Sequence, residues 1–84
     1  MTEAEILEAC RGFLSDTLNL PLASIAPDER FERLGLDSAN SAGLTLFLED
    51  LLGRELGFDL VAEHPTPQAL AAHLALQEGG AAAS

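Results

Sequence analysis

Apolar side chains recur at helical spacing in three stretches of this chain, and nowhere do they alternate as in a half-buried strand. In the first stretch Ile6, Cys10, Phe13, Leu14 and Leu18 share one face, widened by Leu7 and Ala9. Thr2 and Glu5 have the spacing of a capping box, which predicts a helix start at Glu3. Gly12 weakens that helix without ending it, and Asn19 with Pro21 stops it. A second helix is predicted from Ser38 to Leu52, with Asp37 or Ser38 as its cap. Projected at about 100° per residue, Leu44, Leu48 and Leu51 form the centre of its buried stripe, flanked by Phe47 and Leu52. Ala39, Ala42, Leu46, Glu49 and Asp50 fall toward the opposite side. The third stretch opens on Thr66-Pro67, a capping side chain followed by proline at the first helical position. It turns Leu70, Ala71 and Leu74 inward and is expected to end at Gly79-Gly80.

Between the first two helices lies a long connection, residues 19–37, anchored by Ile25, Phe31 and Leu34, with Leu36 a further candidate. Connections of this length in a compact domain either pack something or carry function. Pro27-Asp28 reads as a turn or a short helical turn, and Gly35 suits a backbone conformation other residues avoid. Gly53 and Gly57 punctuate the end of the second helix, and a brief helix is expected near Asp59 to Glu63. The predicted fold is therefore all-α: a small four-helix bundle of three main helices plus a short third one. Residues 1–78 form its single domain and residues 79–84 a flexible tail.

Composition narrows the function. The chain is 84 residues long, 48% hydrophobic but only 5% aromatic, so its small core must be mainly aliphatic. A formal net charge of −10 argues against nucleic acid or an anionic membrane as partner. Acidity of this degree serves either brief encounters with basic protein surfaces or plain solubility. The one cysteine excludes an internal disulfide, and its place on an apolar helix face predicts a buried, inert thiol. No secretory signal and no membrane-spanning run is visible, so the expected location is the cytoplasm.

The chemistry concentrates at Leu34-Gly35-Leu36-Asp37-Ser38, where the long connection meets the most apolar helix. A hydroxyl at that junction sits beside unpaired N–H groups and the positive end of the helix dipole, a setting that favours an attached anion. No base neighbours Ser38 in sequence, so it reads as a hydroxyl presented to another protein. A hydrolase set of Asp37, Ser38 and His64 or His73 is the enzymatic alternative. It lacks the strand–turn–helix context and the Gly-x-Ser-x-Gly string of a nucleophile elbow. Two histidines nine positions apart and one cysteine match no metal-ligand spacing, so no metal site is expected.

These segments, taken in order, resemble the acyl carrier protein family, including carrier domains of polyketide and nonribosomal peptide synthases. The resemblance covers residues 3 to 77. Its most specific part is Leu34-Gly35-Leu36-Asp37-Ser38, similar to the family's phosphopantetheine attachment motif. Ile25-Ala26-Pro27-Asp28 leads into it, and Glu63-His64-Pro65-Thr66-Pro67 with Leu70, Ala71 and Leu74 is similar to the tail of modular polyketide synthase carriers. The resemblance implies a bundle of the acyl carrier type and a monomeric, non-catalytic carrier. Ser38 would receive 4′-phosphopantetheine from coenzyme A through a magnesium-using phosphopantetheinyl transferase. The arm would hold acyl, polyketide or aminoacyl cargo as a thioester. Further implied partners are a loading enzyme, ketosynthase or condensation-type enzymes, and a releasing enzyme. The alternatives are a peptidyl carrier of a nonribosomal pathway and an acidic adaptor that never carries an arm. Short flanks suggest a discrete carrier, and a domain of a larger synthase would look the same.

Two positions depart from the family pattern: Ala39 where Leu, Ile or Met is usual, and Gly43 where many relatives have Glu. With Asn40, Ser41 and Ala42 they make the start of the second helix small and intrinsically weak. The expected partner-facing set is Asp37, Ala39, Ala42, Gly43, Leu46, Glu49 and Asp50, with a specialised partner approaching closely. Ser41, inside the helix and without a preceding Asp, is expected to stay unmodified.

Overall fold

A computed structural model describes residues 1–83, with side chains through Gln77. Its regular elements are all helical: α1 (Glu3–Leu18), a 3₁₀ turn (Leu22–Ser24), α2 (Phe31–Leu34), α3 (Ser38–Leu52), α4 (Leu60–Glu63) and α5 (Pro67–Ala83). The capping box forms as the spacing predicts: Glu5 N–H donates to Thr2 Oγ1 at 3.2 Å and Thr2 N–H donates to Glu5 Oε1 at 2.8 Å. Asn19 ends α1 in the left-handed region at φ 56°, a conformation asparagine tolerates. Ser15 Oγ then ties the exit, donating to the Leu20 carbonyl at 2.6 Å.

The core is aliphatic. Ile6, Cys10 and Leu14 of α1 meet Leu44 and Leu48 of α3 and Leu70, Ala71 and Leu74 of α5. Ile25 and Phe31 from the long connection, with Leu56 and Leu60, close it off. Each fully buried Leu or Ile side chain contributes roughly 1.5–3 kcal/mol of transfer free energy.

The buried stripe of α3 is rotated from the predicted one. Leu44, Thr45 and Leu48 are buried, whereas Leu51 is half-buried. Thr45 is accommodated because its hydroxyl donates back to the Ser41 carbonyl at 3.1 Å, leaving no polar atom unsatisfied.

The long connection is more ordered than its sequence suggests. Besides the turn at Pro27-Asp28, it holds the 3₁₀ turn and α2. Arg11 of α1 reaches across, donating through Nε to the Ile25 carbonyl at 2.7 Å and through Nη2 to the Leu22 carbonyl at 3.0 Å. Two backbone bonds lace it to the start of α5: Phe31 N–H to the Pro65 carbonyl and Gln68 N–H to the Pro27 carbonyl, both 2.8 Å.

Thr66 caps α5 as expected, its Oγ1 accepting the Ala69 N–H at 3.1 Å. The helix does not stop at Gly79-Gly80 but runs to Ala83. Glycine costs a helix about 1 kcal/mol relative to alanine without blocking it, and three alanines follow. Of the expected tail, Ser84 lies outside the described residues.

Candidate functional site

Gly35 redirects the chain into the site. It caps α2 at φ 94°, a left-handed conformation that disfavours any side chain, and Leu36 N–H returns to the Phe31 carbonyl at 3.1 Å. Asp37 follows in an extended conformation as the N-cap of α3, its Oδ1 accepting the Asn40 N–H at 2.7 Å. Because Asp37 takes the capping role, the Ser38 hydroxyl is not drawn into it. Ser38 is the first residue of α3 and exposed. Among the described residues, the Ser38 and Ala39 N–H groups and the Ser38 hydroxyl have no hydrogen-bond partner. An anion on that oxygen would meet unpaired donors and the positive end of the α3 dipole. A phosphodiester therefore fits these residues.

Beside Ser38 lies an open groove of about 410 Å³. Leu36, Asp37, Ser38, Ser41 and Ala42 form one wall, and Phe58, Val61 and Ala62 the other. It continues past Leu36, Ser41, Val61 and Ala62 into a smaller hollow of about 210 Å³ rimmed by Arg30, Glu32 and Pro65.

The structure sorts the expected partner-facing residues. Asp37, Ala39, Leu46 and Asp50 are exposed, and Leu46 keeps 54% of its surface in solvent. Ala42 is half-buried in the groove wall. Gly43 turns toward α1: a Cβ there would lie 3.5 Å from Phe13 Cζ. Glu49 is half-buried, and its Oε2 accepts the Leu56 N–H at 2.7 Å, pinning the segment that follows α3. Phe58 is the residue that sequence reasoning left without a role. It is 63% exposed and lines the same groove as Ser38, and its signal in the sequence is a large aromatic between Gly57 and Asp59.

The imagined hydrolase set does not assemble. His64 and His73 stack on each other, with ring centroids 4.1 Å apart and planes at 21°. His73 Nε2 lies 3.1 Å from Gln77 Nε2, and Gln77 Oε1 accepts from Arg54 Nη1 at 2.9 Å. No described hydrogen bond links either ring to Ser38 or Asp37. Cys10 is buried, and burial pushes its thiol up to about 12. Among the described residues no group of three or more His, Cys, Asp or Glu could hold a metal ion.

Comparison with known proteins places this geometry. The family defined by the phosphopantetheine attachment site matches residues 9–74. The spectinabilin polyketide synthase system protein NorA' of Streptomyces orinoci is 42% identical over 70 residues, 82% of this chain and 2% of that protein. Acyl carrier protein 2 of Ralstonia nicotianae is 35% identical over 57 residues, 67% of this chain and 70% of that one. The chain spans only 2–3% of the length of the polyketide synthases it matches. Among solved structures, a free-standing peptidyl carrier protein from an uncharacterized Acinetobacter baumannii secondary metabolic pathway superposes with a TM-score of 0.86 at 30% identity, covering 90% of this chain and 95% of that one. The match over residues 9–74 and the shared helical architecture establish that this chain belongs to the phosphopantetheine-binding carrier protein family, whose prosthetic group is covalently attached.

Proposed function

We propose that Ser38 is the attachment point and that the chain presents acyl or polyketide intermediates to partner enzymes in secondary-metabolite biosynthesis. The observation that carries this reading is the exposed, uncommitted hydroxyl at the first position of α3, with Asp37 holding the cap. In the attachment step Ser38 Oγ attacks the phosphorus of coenzyme A that bears the pantetheine. A phosphodiester forms, the pyrophosphate bond breaks, and adenosine 3′,5′-bisphosphate leaves with the bonding pair, while the hydroxyl proton passes to the transferase or solvent. When bound, the group supplies a terminal thiol that holds cargo as a thioester. The residues of this chain anchor and present it: the α3 N-terminus stabilises the phosphodiester, and Asp37 faces a cationic group or metal ion of the transferase.

Partners are a magnesium-dependent phosphopantetheinyl transferase, a loading enzyme, chain-extending enzymes of ketosynthase or condensation type, and a releasing enzyme. Leu46 and Phe58, both exposed, supply an apolar centre for docking, with Asp37 and Asp50 as its charged rim. Ala39 leaves room close to the attachment point. The similarity to polyketide synthase segments favours polyketide over aminoacyl cargo, and the peptidyl carrier likeness supports the aminoacyl alternative. No helix among the described residues is long and apolar enough to cross a membrane, which accords with action in the cytoplasm. The protein acts without catalysis of its own, since the histidines are engaged away from Ser38.

Incubation with coenzyme A, magnesium and a broad transferase tests the reading by intact mass. One phosphopantetheine should be gained, and Ser38→Ala should abolish the gain. Persistent failure with the transferase of its own pathway would favour an acidic adaptor that never carries an arm.

A further inference from the structure

Ser41 lines both the groove beside Ser38 and its smaller continuation, together with Leu36, Val61 and Ala62. It lies three residues beyond Ser38 on α3, so the two share a helix face with Cβ atoms roughly 5–6 Å apart. Its backbone is engaged: the N–H donates to the Asp37 carbonyl at 2.8 Å, and the carbonyl accepts the Thr45 hydroxyl at 3.1 Å. Thr45 thus turns its hydroxyl back onto the helix, and Ser41 does not. The Ser41 side chain is half-buried, and its hydroxyl has no hydrogen-bond partner among the described residues. Such a group is free to bond what enters the groove.

We infer that Ser41 is a positioning residue for the phosphopantetheine arm, guiding it from Ser38 into the groove between α3 and α4 by a hydrogen bond to the hydroxyl that the arm carries near its phosphate. This rests on Ser38 as the attachment point proposed above. The covalent structure of the arm decides which part meets Ser41. After the phosphate come a methylene, a carbon bearing two methyl groups, a hydroxyl and the first amide; the thiol and its cargo are at the far end. Ser41 is about one turn from the anchor, so the near hydroxyl reaches it directly, whereas cargo would have to double back. Phe58, Val61 and Ala62 supply apolar surface for the two methyl groups.

Charge agrees with this occupant. Beyond its phosphate the arm is neutral, and the groove holds no spare charge to be matched. Asp37 Oδ1 already accepts the Asn40 N–H. At the rim of the smaller hollow Arg30 Nε donates to Glu32 Oε1 at 2.9 Å, and the two balance each other. Between these ends the lining side chains are apolar apart from the hydroxyls of Ser38 and Ser41. One hydroxyl on the arm and one on α3 therefore pair across an otherwise apolar surface. The arm leaves Ser38 in a preferred direction, along α4, rather than in all directions alike.

Nuclear magnetic resonance tests this on protein modified from isotopically labelled coenzyme A, after intact mass has verified the arm. Nuclear Overhauser contacts should join the two methyl groups of the arm to Val61 and Phe58. In modified Ser41→Ala the ratio of seated to free arm should fall about fivefold, the loss of one hydrogen bond. On the wild type, an arm with hydrogen in place of its hydroxyl should show the same fall, and Ser41→Ala should add nothing further. A merely structural role for Ser41 would not produce that coupling. An arm that touches neither Val61 nor Phe58 overturns the inference, as does an undiminished ratio in Ser41→Ala or with the altered arm, or two falls that simply add. If no mass is gained, Ser38 is not the attachment point and the inference falls with it.

Discussion

Phe13 of α1 and Phe47 of α3 stack with ring centroids 5.1 Å apart and planes at 28°. One turn earlier on α3, Gly43 leaves the rim of Phe13 uncovered, since a Cβ there would sit at an ordinary contact distance of 3.5 Å. The crossing of α1 and α3 therefore has room for a methyl group at position 43.

Replacement of Gly43 by alanine should stabilise the protein. The added methyl meets Phe13 without overlap, and the helix gains roughly 0.5–1 kcal/mol in propensity. Urea unfolding measures it, and a loss of stability would show that α1 and α3 cannot yield at this crossing. Ala39→Leu combined with Gly43→Glu restores the pattern usual in the family. If a close-fitting partner uses this face, the double variant should be loaded more slowly by the dedicated enzymes. Unchanged or faster loading would sink that idea.

Asp37 caps α3 and is proposed to meet the transferase, and substitution can separate the two. Asparagine caps a helix as well as aspartate does, whereas alanine costs about 1 kcal/mol. Asp37→Asn should therefore keep the unfolding midpoint while slowing modification of Ser38. Asp37→Ala should lose both stability and modification rate. Full-rate modification of Asp37→Asn would mean that the charge has no part in the transferase encounter.

Glu49 reads from sequence as a surface acid, yet its carboxylate holds the Leu56 N–H. Glu49→Gln keeps an acceptor and should be nearly neutral for folding. Glu49→Ala should cost about 1 kcal/mol and raise amide exchange through residues 53–58. Equal stability of the two variants would return Glu49 to the docking rim.

Cys10 gives an alkaline signature. Its thiol is pushed up to about 12 by burial, above its ordinary value, so the unfolded chain releases this proton first as pH rises. The stability it contributes is complete below the unfolded value and is lost as pH climbs toward the folded one. The chain has no lysine and no tyrosine to mask this. Stability should fall above about pH 9, and Cys10→Ala should flatten the decline. The native thiol should also resist alkylation at neutral pH, and rapid labelling would contradict its burial.

The local helix-start signals in this chain translate directly into structure. Thr2 with Glu5 and Thr66 with Pro67 start helices where their spacing says, because capping is settled within one turn. The place of Ser38 at the start of α3 is legible for the same reason, just after a left-handed glycine and the capping Asp37. What stayed hidden depended on distant partners or carried no period. Four residues of α2 are too few to show a helical repeat. Thr45 looks polar until its hydroxyl is seen turned back onto Ser41. Glu49 meets Leu56, and Phe58 meets the groove, only after the chain has folded.

The lacing of residues 19–37 bears on presentation. Arg11 grips this span near its start, and backbone bonds to Pro65 and Gln68 hold its later half. These bonds fix the approach of the chain to the start of α3, where Ser38 lies. With Ser38 as the proposed attachment point, reach and sweep would belong to the group suspended from it, while the chain would offer a visiting enzyme an anchored helix start.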